Sequence, residues 1–415
     1  MTYFVEEGKI IIHLYGQNHK IGLGVKGEED EEIFELQRKT YLMYKRKEKE
    51  ISLQIEKVIY EYHLLGDENM RKCLMCRERK MEEYGICEDC KKLNREMADI
   101  HVDLTGHTAL VTGGRIKIGY AAAVRMLRDG AKVIVVTRYP YDALDRYSKE
   151  PDYNAFKDRL IICGFNLMWV NKLDDLLDFI YKAAPGGLDI LVNNAAQTIK
   201  KADSYYAQLE EREHQMQVLY QNKESCQLLS AVSDSVQPEY MLIQKENIPA
   251  IKEESPMYNS WVAKVEEISV QEMLEVQLIN VTAPFMLVGQ LKGWMKKSSH
   301  KNKFIINVSS VEGRFNRNKK LSRHVHTNMA KASLNMMTHS LSMEYEKDRI
   351  FMYSVDPGWV SNQFPVGYNA SKDFKQYLSF EDAASRICYP IYTKLNLDVI
   401  KDAGTLWKDY KIIEF

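Results

Sequence analysis

The stretch Thr112-Gly113-Gly114-Arg115-Ile116-Lys117-Ile118-Gly119 constrains this chain more than any other. It follows the apolar run that starts at Thr108 and opens into a helical pattern from Tyr120 to Arg128. A strand, a glycine-bearing turn and a helix, in that order, bring backbone N–H groups at a helix N-terminus up to a pyrophosphate, and glycine lets the main chain come close. A second apolar run at 132–136 follows at βαβ spacing, with Gly130 placed to stop the helix between them.

From Leu104 onward, apolar runs at 108–112, 132–136, 160–165, 189–193, 304–308 and 351–355 alternate with helix-length segments. That alternation predicts a parallel sheet covered on both faces, with ligand at the carboxyl ends of its strands. At 415 residues there is room for such a domain and for appendages. Hydrophobic residues at 45% and charged residues at 28% exclude a disordered chain. A net charge of −1 gives no global drive toward nucleic acid or an anionic membrane. No apolar run approaches bilayer length, and the first seven residues lack the form of a secretory signal, so a cytoplasmic protein without membrane association is expected.

Ahead of the α/β pattern, residues 2–15 read as a hairpin around Gly8, and 33–65 read as two helices or one long bent one. The charge run at 45–50 reads as a solvated helix face. Next come Cys73, Cys76, Cys87 and Cys90, two CxxC pairs separated by ten residues. Each pair forms a tight knuckle offering two thiolates, and two knuckles close the tetrahedral shell of a structural zinc ion. The remaining cysteines, Cys163, Cys226 and Cys388, read as small buried hydrophobes. Arg71, Lys72, Arg77, Arg79 and Lys80 around the knuckles leave room for docking of a protein or nucleic acid. The organisation expected is therefore an extension over 1–66, a zinc module over 67–100 and an α/β domain over 101–415, interrupted by an insertion at 197–269.

The strand ends form a coherent set: Thr112-Gly113…Gly119, then Asn193-Asn194-Ala195-Ala196, Asn280, Asn307-Val308-Ser309-Ser310, Lys331 and Asp356-Pro357-Gly358. Over about residues 104–370 the chain resembles the short-chain dehydrogenase/reductase family. The resemblance implies a Rossmann-type doubly wound parallel sheet, a nicotinamide cofactor and hydride exchange with a small carbonyl or alcohol substrate. It places Thr112, Gly113, Gly114, Arg115, Ile118 and Gly119 around the pyrophosphate, Asn193 and Ala195 toward the adenosine, and Pro357 and Gly358 by the nicotinamide. Ser310 would orient substrate, Asn280 would hold a kinked helix and a relay water, and Lys331 would bind ribose and bias the proton donor. A homodimer or homotetramer, assembled through the helices of Asn280 and Lys331, is implied in the same way. The second strand ends in Val136-Thr137-Arg138 with no carboxylate, which favours NADP(H) over NAD(H).

Four departures stand out. Thr327 holds the position four before Lys331 where the family has its proton-donating tyrosine, Ser310 lies seventeen residues before it, Lys117 replaces the middle glycine of the turn, and Asn166 replaces an aspartate. His326, and His324 if the helix reaches back that far, are the candidate substitutes, since imidazole titrates near neutrality. The context His324-Val325-His326-Thr327-Asn328-Met329-Ala330-Lys331 resembles a non-tyrosine subgroup of the family with a Cys-rich segment ahead of it. The competing reading is a catalytically silent nucleotide-binding scaffold that docks a partner through its zinc module. The insertion is expected to overhang the nicotinamide pocket, with Trp261 as an aromatic wall or a packing residue. A last helix is expected over 380–388, with Trp407 and Tyr410 over substrate or at a subunit interface.

Overall fold

The computed structural model describes residues 2–6, 9–14, 17–22, 71–81, 85–201, 203–220, 227–230, 259–316, 322–360, 363, 377–397 and 403–415. The chain divides into two compact units, Met1–Leu64 and Leu65–Phe415. In the first, β1 (Thr2–Glu6), β2 (Lys9–Leu14) and β3 (Gln17–Gly22) form an antiparallel sheet in chain order. The expected hairpin therefore gains a third strand. Its sequence, QNHKIG, carries too little apolar alternation to declare itself. The helices expected over 33–65 lie outside the described residues.

The second unit opens with a short hairpin, β4 (Arg71–Lys72) and β5 (Lys80–Met81), and helix α1 (Glu88–Ala98). Its strands are β6 (Thr108–Thr112), β7 (Lys132–Thr137), β8 (Leu160–Gly164), β9 (Ile190–Asn193), β10 (Gln227–Ser230), β11 (Lys303–Val308), β12 (Ile350–Asp356), β13 (Thr405–Lys408) and β14 (Lys411–Ile413). They form one sheet in the order β10-β8-β7-β6-β9-β11-β12-β13-β14. Every pairing is parallel except β13 with β14. The chain moves outward from β6 to β8 and then returns to the other side of β6 at β9, so a crevice opens at their carboxyl ends.

Side chains alternate between two cores, as the pleat requires. Val111, Val133, Val135, Ile162 and Val192 face one core with helices α2 (Lys117–Arg128), α3 (Pro140–Tyr147) and, from the C-terminal end of the chain, the helix Phe380–Leu397. Leu110, Ile134, Ile161, Leu191 and Ile305 face the other, with α4 (Leu173–Ala183). Helix α5 (Asp203–Tyr220) follows β9. Then α6 (Val270–Gln277), a π-turn (Leu278–Thr282) and α7 (Ala283–Lys297) run on without a break. By length and composition this 28-residue stretch is apolar enough to cross a membrane, longer than the sequence reading allowed. Ala283, Leu287, Val288, Leu291 and Met295 are nevertheless buried in the second core, which is where its apolar side is used. Helix α8 (Val325–Glu346) joins β11 to β12, and α9 is the helix Phe380–Leu397.

Two expectations at the C-terminus are corrected. Helix α9 continues nine residues past Cys388, through Pro390, because its buried face runs on through Ile391 and Tyr392. Trp407 does not reach the cleft: as part of β13 it packs edge-on against Tyr353 and Tyr389. Tyr410, in the turn to β14, lies under the Arg386 guanidinium. The pairing of β13 with β12 is long-range, so no local periodicity announced it.

Candidate active site

At the end of β6 the chain must turn sharply without colliding with β9. Gly113 has φ +70°, and a Cβ there would sit 2.8 Å from the Ala195 Cα. A Cβ on Gly119 would fall 2.3 Å from the Asn194 Nδ2, so only glycine fits. Thr112 Oγ1 accepts the N–H groups of Asn194 and Ala195, each at 3.0 Å, and Asn194 Nδ2 donates to the carbonyls of Thr112 and Gly113. The turn is thus clamped to β9 from both sides. Lys117 keeps the left-handed backbone of a middle glycine, with φ +56°, at a cost of about 1–2 kcal/mol for a side-chain-bearing residue. The exposed Lys117 lines the cleft.

Under β7, Arg138 also lines the cleft, its guanidinium over the rings of Tyr139 (5.5 Å) and Tyr206 (5.4 Å). Arg115 is committed elsewhere, to Asp142 at 2.6 Å. Asp142 also meets Arg146 and Arg212; against burial, which alone would raise it, these guanidiniums hold its carboxyl down to about 2. Glu213 of α5 accepts the N–H groups of Tyr141 (2.7 Å) and Asp142 (2.8 Å) at the start of α3. This sets the course of the first part of the insertion. Its first helix lies on α3 beside the β7 end of the cleft, where Tyr205, Tyr206 and Leu209 line the wall, because acidic and basic side chains on facing helix surfaces pair there. The stretch containing Pro238, Pro249 and Pro256 lies outside the described residues.

At the other end of the cleft stand Val308, Ser309, Lys331 and Pro357. Lys331 is 8% exposed and its Nζ donates to the Val308 carbonyl at 2.7 Å. Burial pushes its ammonium down to about 8, against the pull of the Asp356 charge. Asp356 accepts N–H groups from Gly358 (2.9 Å) and Val311 (3.0 Å), tying the end of β12 to the loop after β11. Ser310 Oγ accepts the N–H of Glu312 and caps a short 3-10 turn. Asn280 sits in the π-turn, where Oδ1 accepts the Gln197 N–H (2.8 Å) and Nδ2 donates to the Gln197 carbonyl (2.9 Å). Gln197 and Lys200 in turn bind Glu275.

The residues offered in place of the tyrosine stand apart from the cleft lining. His326 is buried, with Nε2 3.8 Å from Glu272 Oε1, and burial followed by the His324 charge pushes it down to about 4. Thr327 is 2% exposed, and its Oγ1 has no hydrogen-bond partner among the described residues. Helix α8 begins at Val325, so His324 is not on its face; it precedes the helix with φ +40°, stacked on Trp261 at 4.1 Å. Trp261 is thus a packing partner, in the segment by which the insertion returns.

The four cysteine sulfurs all lie within 4.8 Å of one another, and Cys73, Cys87 and Cys90 are buried. A tetrahedral zinc with sulfurs about 2.3 Å away needs sulfur separations of roughly 3.8 Å, so a small contraction closes the shell. The cluster packs against Tyr377 and Leu378. Arg386 of α9, 2% exposed, donates to Asn94 of α1 (2.8 Å) and to Asp409 (3.2 Å), which locks the cysteine segment to the C-terminal hairpin.

The family model described as short chain dehydrogenase matches residues 107–231 and 256–372, more than half of the chain. The chain belongs to the short chain dehydrogenase family. The uncharacterized protein R665 of Acanthamoeba polyphaga mimivirus is 30% identical over 363 residues, which are 83% of this chain and 75% of that protein. A tropinone reductase homolog from Datura stramonium is 35% identical over 98 residues, 24% of this chain and 35% of that one. Among solved structures, the NADPH-bound carbonyl reductase from chicken fatty liver superposes with a TM-score of 0.51 at 18% identity, covering 76% of this chain and all of that one. At that identity the likeness is one of fold.

In this short chain dehydrogenase the cleft, about 580 Å³, brings together Gly113, Arg115, Ile118, Gly119, Arg138, Ala195, Lys331 and Pro357. Thr112, Gly114 and Asn193 support it from beneath, Asn193 through its bond to Asn307 (2.9 Å). Ser310, Asn280 and Gly358 flank it through the bonds above. Sequence reasoning missed Tyr206, Lys201 and Gln197 in the lining and the buried pair Glu272 and Glu275. They lie in or beside the insertion, where the strand-end rule gives no register.

Proposed function

We propose that this protein is an NADP(H)-dependent oxidoreductase that interconverts a small carbonyl compound and its alcohol. The observation that carries the reading is the single cleft that runs from the glycine turn and Arg138 to Lys331 and Pro357. Its residues fit the cofactor. The turn at Gly113 and Gly119 would hold the pyrophosphate, and Arg138 with Lys117 and Lys201 would hold a 2′-phosphate. A bound nicotinamide would supply or accept the hydride beside Pro357 and Gly358. Ser310 orients the substrate oxygen, Asn280 fixes the π-turn, and Lys331 carries charge to the reacting end. The reductase names among the similar proteins point the same way.

Calorimetric titration with NADPH and NADH, followed by absorbance assays on a carbonyl panel, tests this. NADPH binds more tightly and is consumed only with a carbonyl present; Ser310→Ala lowers turnover by a factor of ~10² or more. A protein that binds NADPH but transfers no hydride to any carbonyl is the scaffold.

The cysteine cluster holds structural zinc in this reading. Metal analysis gives one zinc per chain, and Cys73→Ser loses both the metal and several degrees of melting temperature. A cytoplasmic location agrees with a thiolate metal site and with the buried free thiols Cys163 and Cys388. Association into a homodimer or homotetramer agrees with the exposed Met329, Met336 and Met343, seven residues apart on α8.

A further inference from the structure

We propose that Lys331 is itself the proton donor: its Nζ, rather than a hydroxyl or imidazole earlier in the same segment, delivers the proton to the carbonyl oxygen. The assignment rests on the oxidoreductase reading above. Among the described residues at the β11 and β12 end of the cleft, Lys331 alone carries an ionisable group in the lining. The other ionisable lining residues belong to the glycine turn, the end of β7 and the start of the insertion. Thr327, one helical turn earlier, is buried off the cleft, and an aliphatic hydroxyl is far too weak an acid to replace a phenol. His326 is turned to Glu272 and is neutral at physiological pH, so it holds no spare proton to give in reduction.

The ammonium has the connections a donor needs. Its hydrogen bond to the carbonyl of Val308, a neighbour in the cleft lining, uses one of three N–H groups and fixes the nitrogen there. Asp356 is the charged side chain that acts on it, from the end of β12, and that carboxylate is already held by the N–H groups of Gly358 and Val311, with Lys408 3.7 Å away. Glu312, in the loop after Ser310, acts on His324. On α6, Glu272 faces His326 and the Lys200 backbone, while Glu275 takes Gln197 and the Lys200 ammonium. Among the described residues no carboxylate therefore pins the charge as an ion pair, and burial tunes the group to about 8, close to the pH at which a general acid is most effective.

The step balances. A reduced nicotinamide, when bound, would supply the hydride to the carbonyl carbon and would itself be oxidised. The carbonyl π pair moves onto oxygen, which takes a proton from Nζ; the N–H electrons stay on nitrogen, and the neutral amine regains a proton from solvent.

The test uses the full-length protein, NADPH and a panel of 4-nitrobenzaldehyde, isatin and 9,10-phenanthrenequinone. Lys331→Ala is expected to lose turnover by roughly 10²–10⁴ while still binding NADPH. Ethylamine and trifluoroethylamine restore the rate in proportion to their concentration, with a Brønsted dependence on amine pKa that a purely structural lysine does not produce. In the wild type, the reduction rate holds below pH of about 8 and falls above it, because the ammonium is the reactive form. Independently of turnover, competitive acetylation across pH, read by mass spectrometry, shows Lys331 titrating near 8. Absence of rescue in a variant that binds NADPH, or titration of Lys331 with the ordinary lysines, overturns the donor assignment while leaving the oxidoreductase reading intact. A wild type that binds NADPH and reduces nothing in the panel overturns both.

Discussion

Lys117 shows how one residue can break a local rule while the backbone keeps it. The turn between β6 and α2 needs a left-handed residue there, and the chain supplies one that bears a side chain, at φ +56°. Glycine would relax the strain but give the unfolded chain more freedom, and the two effects are each about 1 kcal/mol. Lys117→Gly should therefore leave the melting temperature nearly unchanged. It removes a cation from the cleft wall, so NADPH affinity should fall several-fold, and the deficit should shrink as salt screens the charge. Calorimetric titration at low and high ionic strength reads both effects; equal affinity for variant and wild type at low salt would remove Lys117 from the phosphate site.

Helix α5 forms where the polar, helix-like stretch of the insertion predicts one, but its place on α3 is set by tertiary contacts. It is held on α3 by Arg212 to Asp142, by Tyr220 to Asp145 and by Glu213 across the first N–H groups of α3. A carboxylate there complements the helix dipole, with a worth of about 0.3–1 kcal/mol. Its charge also acts on Arg115, which lines the end of the cleft that would receive a 2′-phosphate. Glu213→Gln keeps the shape and removes the charge. The preference for NADPH over NADH should increase, and the protein should lose somewhat under 1 kcal/mol of stability. A fall in that preference would mean that Glu213 holds Tyr141 and Asp142 in the geometry that the phosphate needs.

At the scale of the molecule, the sheet carries the cleft at the carboxyl ends of its central strands, while the cysteine segment is tied to the C-terminal hairpin through Arg386, Asn94 and Asp409. Met329, Met336 and Met343 are exposed along α8, seven residues apart. If that face assembles two copies, Met336→Glu should convert the oligomer to monomer in light scattering without lowering NADPH affinity. A wild type that is already monomeric at micromolar concentration would sink the assembly.

The six central strands, the glycine turn and the cysteine quartet were legible in the sequence because each is local: apolar runs of strand length, φ-permissive glycines and thiols paired at knuckle spacing. Asn193 was legible as the end of an apolar run, because parallel β/α order sends strand ends to one side of the sheet, while Asn280 and Lys331 were pointed out by the family resemblance. What could not be read was set by contacts far apart in the chain. The third N-terminal strand and the pairing of β13 with β12 come from partners rather than patterns. The lean of α5 onto α3 follows from ion pairs some seventy residues apart in sequence. The same holds around Thr327. The sequence placed His326 next to it, but only the packing of α8 against α6 decided that the imidazole meets Glu272, while Lys331, one turn on, meets the cleft. Helical spacing says which residues share a face; the neighbours packed on that face decide what each one touches.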